Sequence, residues 1–138
     1  MSAIRYLTKQ SSCVILSSAT MQYKVPEVIT TVDTQLLKGI LEGCVLSIIA
    51  KGETYGYEIL GRLEGCGFEE LGEGTLYPII TRMDKNGWIT CRKAKSPLGP
   101  IRKYYSITPE GTAHLEAFRK SYRRVTQAAF KIMFGEEE

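Results

Sequence analysis

The 138-residue chain predicts a mainly helical fold that carries one small β-hairpin. Three observations lead there. Apolar residues recur at helical spacing in three stretches between Thr34 and Lys85. The period then changes to alternation over two short runs, "WITCRKA" and "RKYYSI", separated by the turn-forming "KSPLGP". Helical spacing returns after Thr108 and runs almost to the end. A period near 3.6 marks a helix with one buried face, and a period of two marks a half-buried strand.

In the first helical stretch, Leu36, Leu37, Ile40, Leu41, Cys44, Val45, Ile48 and Ile49 share the buried spacing. Asp33 or Thr34 is suited to cap it. Gly39 and Gly43 lie four apart on another face, where each costs roughly 1 kcal/mol against alanine. They make sense if a second helix packs closely there. "AKGETYG" ends this helix. A short second helix follows, anchored by Tyr57, Ile59, Leu60 and Leu63, with Tyr57 expected in the core.

The third stretch, "EGTLYPIITRMDKNGWI", has Leu76, Ile79, Ile80 and Met83 on its inner stripe. Pro78 sits among them. Inside a helix a proline costs roughly 3 kcal/mol, but in the first turn its missing N–H had no partner to lose. The expectation is therefore a helix starting near Thr75. Its outer face carries Thr75, Tyr77, Pro78, Thr81, Arg82 and Lys85.

The hairpin follows. Of Tyr104 and Tyr105, alternation puts one inward. Thr108-Pro109-Glu110 then reads as N-cap, N1 proline and first-turn acid. On the last helix, Leu115, Phe118, Tyr122, Val125, Ala129 and Ile132 are spaced alternately three and four apart, a heptad seam. A long helix after a compact domain has little of that domain left to pack against, so this seam is expected at a dimer interface. His114 is expected on the helix surface. Residues 1–32 show no clear periodicity and are assigned as an N-terminal tail, with 33–108 as the working domain and 109–138 as the final helix.

Bulk properties narrow the function. Apolar residues make up 43% of the chain, enough for a core, yet no run approaches a membrane span. "CVIL" is too short for a signal-peptide core, so a cytoplasmic location is expected. Cys13, Cys44, Cys66 and Cys91 are widely spaced without a CxxC pair. They read as free thiols, mostly small core residues, and not as metal ligands. No metal or cofactor is expected. Catalysis finds no foothold either: there is no Ser/His/Asp set, no phosphate-binding glycine loop and no paired acids in a recognisable context. Charge is more telling. Residues 82–103 hold seven basic side chains and one acid, whereas residues 42–73 hold seven acids and two bases. A single cationic face is the footprint of a nucleic-acid binder or a solvated surface.

Three helices and then a hairpin make the winged helix-turn-helix order, in which the third helix enters the major groove and the hairpin flanks it. "LLKGILEGCVLSIIAKGETYGYEI", "GTLYPIITRMDKNGWI" and "GPIRKYYSITPEG" together resemble the PadR family of bacterial transcriptional regulators. The resemblance runs from about Leu36 to about Phe134, with three motifs in order at matching spacing. It implies a winged helix-turn-helix with a long C-terminal dimerisation helix, as in the short subfamily, and a repressor released by a small molecule. Carried onto this chain, it implies DNA contacts from Thr75, Tyr77 and Pro78. Thr81, Arg82 and Lys85 extend that face, and Arg102 and Lys103 supply phosphate or minor-groove contacts from the wing. Arg92, Lys93 and Lys95 are expected to contribute diffusely. Where the family often has a tryptophan in the last helix, this chain has Tyr122. A flat aromatic effector is expected against Leu36, Ile40, Phe118 and Tyr122, or else that seam is simply packed. The expected partners are double-stranded operator DNA, a second copy of the chain and this effector. The alternative reading is a winged-helix protein-interaction adaptor that has lost operator binding.

Overall fold

The computed structural model describes residues 31–69 and 71–135. The proposed tail, residues 1–32, lies almost wholly outside that range. Along the described chain run α1 (Thr31–Ala50), β1 (Thr54–Tyr55), α2 (Gly56–Gly65), α3 (Glu73–Lys85), β2 (Ile89–Lys95), β3 (Ile101–Ile107) and α4 (Pro109–Phe134). Three helices, a wing and a long final helix are the winged helix-turn-helix order. The wing has one strand more than expected: β1 adds to β3, giving an antiparallel sheet in the order β1-β3-β2. Two residues are too few to show a period, which is why "TY" reads as loop in the sequence.

One core joins these elements. Leu41, Val45, Leu46 and Ile49 of α1 meet Ile59 and Leu63 of α2, and Leu76, Ile80 and Met83 of α3. Ile89, Tyr105 and Leu115 close it from the sheet and α4. Tyr105 is thus the inward tyrosine of the pair.

The joint between α3, the sheet and α4 is closely fitted. Gly87, at φ 78°, ends α3 in the left-handed region. Trp88 N–H donates to Met83 O at 3.0 Å and Gly87 N–H to Asp84 O at 3.1 Å, the glycine-terminated helix end that satisfies orphan carbonyls. Thr108 caps α4 as expected, accepting from Gly111 N–H at 2.9 Å while its hydroxyl donates to Gly87 O at 2.7 Å. Gly111 is buried against the Trp88 carbonyl, and a Cβ there would overlap that backbone.

Several expectations are corrected. Helix α3 begins at Glu73 with Gly72 as N-cap, so Pro78 lies in the second turn. The helix reaches back because Gly72 O accepts from both Thr75 N–H and Leu76 N–H at 3.1 Å. The bond lost at Pro78 is the one to Gly74 O. Both residues are exposed, so water can take that carbonyl and the cost falls. Tyr57 is 74% exposed, not core; Ile59 and Leu63 fill the inner face without it. Gly39 and Gly43 part company. A Cβ at Gly43 would collide with the Phe118 ring of α4, whereas Gly39 faces open space in this chain. Cys66 and Cys91 are exposed, so they are not core residues, whereas Cys44 is half-buried and packs against the core as expected; Cys13 lies outside the described range. Burial pushes the Cys44 thiol above its ordinary value.

Candidate nucleic-acid interface

Helix α3 divides cleanly into two faces. Leu76, Ile80 and Met83 are buried, and Thr75, Tyr77, Pro78, Thr81, Arg82 and Lys85 are all exposed. Each expected site residue of this helix therefore stands on its outer side, although not all are equally available. The Tyr77 hydroxyl rests against Gly56, where a Cβ would displace it. A ring that also packs on the start of α2 fixes the α2–α3 angle. Thr75 borders a shallow crevice between α1, α2 and α3, with Leu41, Leu60 and Leu71 among its walls. It leaves no enclosed space even for a water molecule, far below the volume of a ligand pocket, so this crevice is a packing crease.

Arg82 is already partnered. Its guanidinium donates to Glu42 Oε1 of α1 at 3.1 Å. The other Glu42 oxygen accepts from His114 Nε2 at 3.2 Å, and the His114 ring stacks on Trp88 with centroids 3.6 Å apart. His114 is thus not a plain surface residue. Through Glu42, the last turn of α3 is tied to both α1 and α4. Sequence reasoning missed this cluster because its contacting pairs lie 26 to 72 positions apart along the chain and no local period links them.

In the wing, strand parity decides what each cation faces. Partners directly across an antiparallel pair share a face. Cys91 opposes Tyr105, Lys93 opposes Lys103 and Lys95 opposes Ile101. These residues share the face on which Tyr105 enters the core, so Lys93, Lys95 and Lys103 stand together on the helix side. Arg92 and Arg102 occupy the opposite face with Tyr104 and Tyr55. There Arg92 makes a two-pronged pair with Glu53 at 2.7 and 2.8 Å. That pair, with its hydrogen bonds first, holds the Glu53 carboxyl below its ordinary value. Arg102 lies over the Tyr55 ring at 4.3 Å, and Tyr55 meets Tyr104 edge-on at 5.6 Å. The expected wing pair, Arg102 and Lys103, is therefore split between two faces. The lysine cluster was legible in the sequence from odd-numbered parity alone.

On α4, Leu115 is 3% exposed and belongs to the protomer's own core. That corrects its place in the expected seam: a side chain so covered has no surface left for a second copy. Phe118 is half-buried on Gly43, and beyond it Tyr122, Val125 and Ile132 are 48%, 56% and 84% exposed. Phe130, Met133 and Phe134 are exposed too, with Phe130 and Phe134 packed together at 4.7 Å. On α1, Leu36 is 63% exposed and Ile40 half-buried.

This architecture coincides with a family. The sequence model of the transcriptional regulator PadR-like family matches residues 45–117, more than half of the chain. The protein belongs to the PadR-like family. A PadR-like transcriptional regulator of Bacillus cereus is 44% identical and superposes with a TM-score of 0.65 over 74% of this chain and 99% of its own. An uncharacterized protein of Lysinibacillus sphaericus is 30% identical over 108 residues, 77% of this chain and 99% of its own length. PadR of Bacillus subtilis, solved in complex with operator DNA, is 25% identical with a TM-score of 0.53 over 57% of this chain and 46% of its own. The PadR-like match ends within α4, so the exposed apolar run from Tyr122 onward lies past the part that defines the family. Among the described residues no helix is long and apolar enough to cross a membrane, and no cluster of metal-ligating side chains occurs.

Proposed function

We propose that this PadR-family regulator is a homodimeric repressor that binds operator DNA through α3 and the wing and is released by a small aromatic effector. One observation carries the reading. The exposed face of α3 and the Lys93, Lys95 and Lys103 cluster of the wing are the two polar surfaces that a winged helix turns toward a duplex. Thr75, Tyr77, Pro78 and Thr81 are suited to base edges and thymine methyls, and Lys85 to a phosphate. Arg82 reaches DNA only if it leaves Glu42 or shares it, so its first role is to set the tilt of α3. Lys103 is the wing's phosphate contact, and Arg102 braces the strand that presents it. That the Bacillus subtilis relative is solved in complex with operator DNA supports operator binding by this chain.

Residues 33–108 then read DNA and residues 109–138 join two copies. The apolar surface of α4 favours this. From Phe130 to Phe134 the helix is apolar nearly all round, and such a helix is normally covered on more than one side. A partner's α4 against Phe118, Tyr122, Val125, Ala129 and Ile132, with its α1 nearby, supplies that cover. A flat effector fits between the copies against Leu36, Ile40, Phe118 and Tyr122, with the Tyr122 ring and hydroxyl as anchors. Glu42 and His114 give occupancy of that site a route to α3.

Titration of fluorescent duplexes from the region upstream of the protein's own gene, with and without phenolic acids, tests this reading. Saturable, salt-sensitive binding with two protomers per site, weakened by an effector, is expected. Absence of binding to any duplex would favour the adaptor instead.

A further inference from the structure

The tip of the wing, residues 96–100, carries a leucine at its apex. Leu98 is 96% exposed, and Ile101 just behind it is 64% exposed. The tip is closed by its own bonds: Ser96 donates to Pro100 O from its backbone N–H at 3.4 Å and from its hydroxyl at 3.1 Å. Pro97 and Pro100 fix two more backbone angles. A turn so braced holds Leu98 outward and gives it no route back to the core. Its tip neighbours are Ser96, Pro97, Gly99 and Pro100, so no other side chain there reaches as far. The cations sit behind. Lys93, Lys95 and Lys103 stand on the helix-side face, and Arg102 is drawn back over Tyr55. The wing is thus an apolar nose on cationic shoulders.

We infer that Leu98 is a specificity-determining wedge that enters the minor groove beside the half-site read by α3, while the three lysines hold the flanking phosphates. This rests on the DNA-binding reading above. The charge around the tip selects a polyanion, and a minor groove about 6 Å wide admits a turn whose apex is one aliphatic side chain. Apolar wedges in that groove work by parting adjacent base pairs. Pyrimidine–purine steps such as TA and CA part most easily. The tip therefore selects by deformability a step that the protein does not read by hydrogen bonds.

Selection of duplexes from a random-sequence library separates the possibilities. Wild-type protein should enrich a core motif with a TA or CA/TG step in its flank. Leu98→Ser should keep the core motif and lose the flanking preference, with affinity for the wild-type-selected duplex lowered about tenfold. Leu98→Met should restore most of both. With 2-aminopurine at the flanking step, wild type should brighten the probe on binding and Leu98→Ser should not. Equal thermal stability of the variants is expected from the exposure of the site and confirms that folding is intact. A Leu98→Ser protein that enriches the same flank, brightens the same probe, or loses affinity equally on all duplexes overturns the wedge. Failure of wild type to enrich any duplex overturns the DNA-binding reading and the wedge with it.

Discussion

Lys103 stands directly across the hairpin from Lys93, with Lys95 two residues along on the same face. Like charges opposed in this way destabilise a free sheet by roughly 0.2–1 kcal/mol. The arrangement makes sense if phosphates neutralise it in the bound state. Lys103→Ala should therefore flatten the slope of log K against log salt by about 0.9, the value of one lost phosphate contact, while leaving the melting temperature of the free protein unchanged or slightly higher. Arg102→Ala should do the reverse, lowering stability through the lost stack on Tyr55 and changing the slope little. An unchanged slope for Lys103→Ala would remove that residue from the interface. Tyr105 gives a second test. Burial first of all pushes its hydroxyl from 10 to about 12. A folded value above the unfolded one favours the neutral form in the fold. That stability is complete below pH 10 and is lost as pH rises toward 12. Ultraviolet titration should show one tyrosine ionising late and together with unfolding. Its ionisation near 10, with the fold intact, would contradict the burial.

At the scale of elements, the sequence was readable wherever a period had room to repeat. The stripe of Leu76, Ile80 and Met83 located α3 and its outer face, and Thr108-Pro109-Glu110 located the start of α4. Legibility ended where a single contact decides. β1 has two residues and hence no period. Pro78 marked a helix start by local rule, yet the Gly72 carbonyl drew the helix back beyond it. Tyr57 had the spacing of a core residue on a helix whose inner face was already full. Gly111 shows no signal in the sequence, because its neighbour is the distant Trp88 carbonyl. Gly111→Ala should cost about 1–3 kcal/mol, the usual range for overpacking, or more since the obstacle is backbone. A chemical-denaturation midpoint equal to wild type would show that the α3–wing–α4 joint is looser than described. On α3, Thr75→Ala should lower the preference for operator over random DNA by roughly 1–3 kcal/mol if a base contact is lost. Equal losses on both DNAs would make Thr75 a positioning residue.

For the whole molecule, the proposed homodimer turns a basic face toward DNA and an exposed apolar helix toward a second copy. Val125, 56% exposed, lies in the middle of the proposed seam. Val125→Asp buries an unpaired carboxylate there and should shift sedimentation from dimer to monomer. In the proposed dimer, two copies of α3 read the site in DNA and the α4 pair sets their spacing. The most direct test is hydroxyl-radical footprinting of the full-length protein on a duplex it selects. Two protected segments related by a dyad and centred about one helical turn apart are predicted, at two protomers per duplex. A single protected segment bound by one protomer, or no protection at saturating protein, would contradict the account.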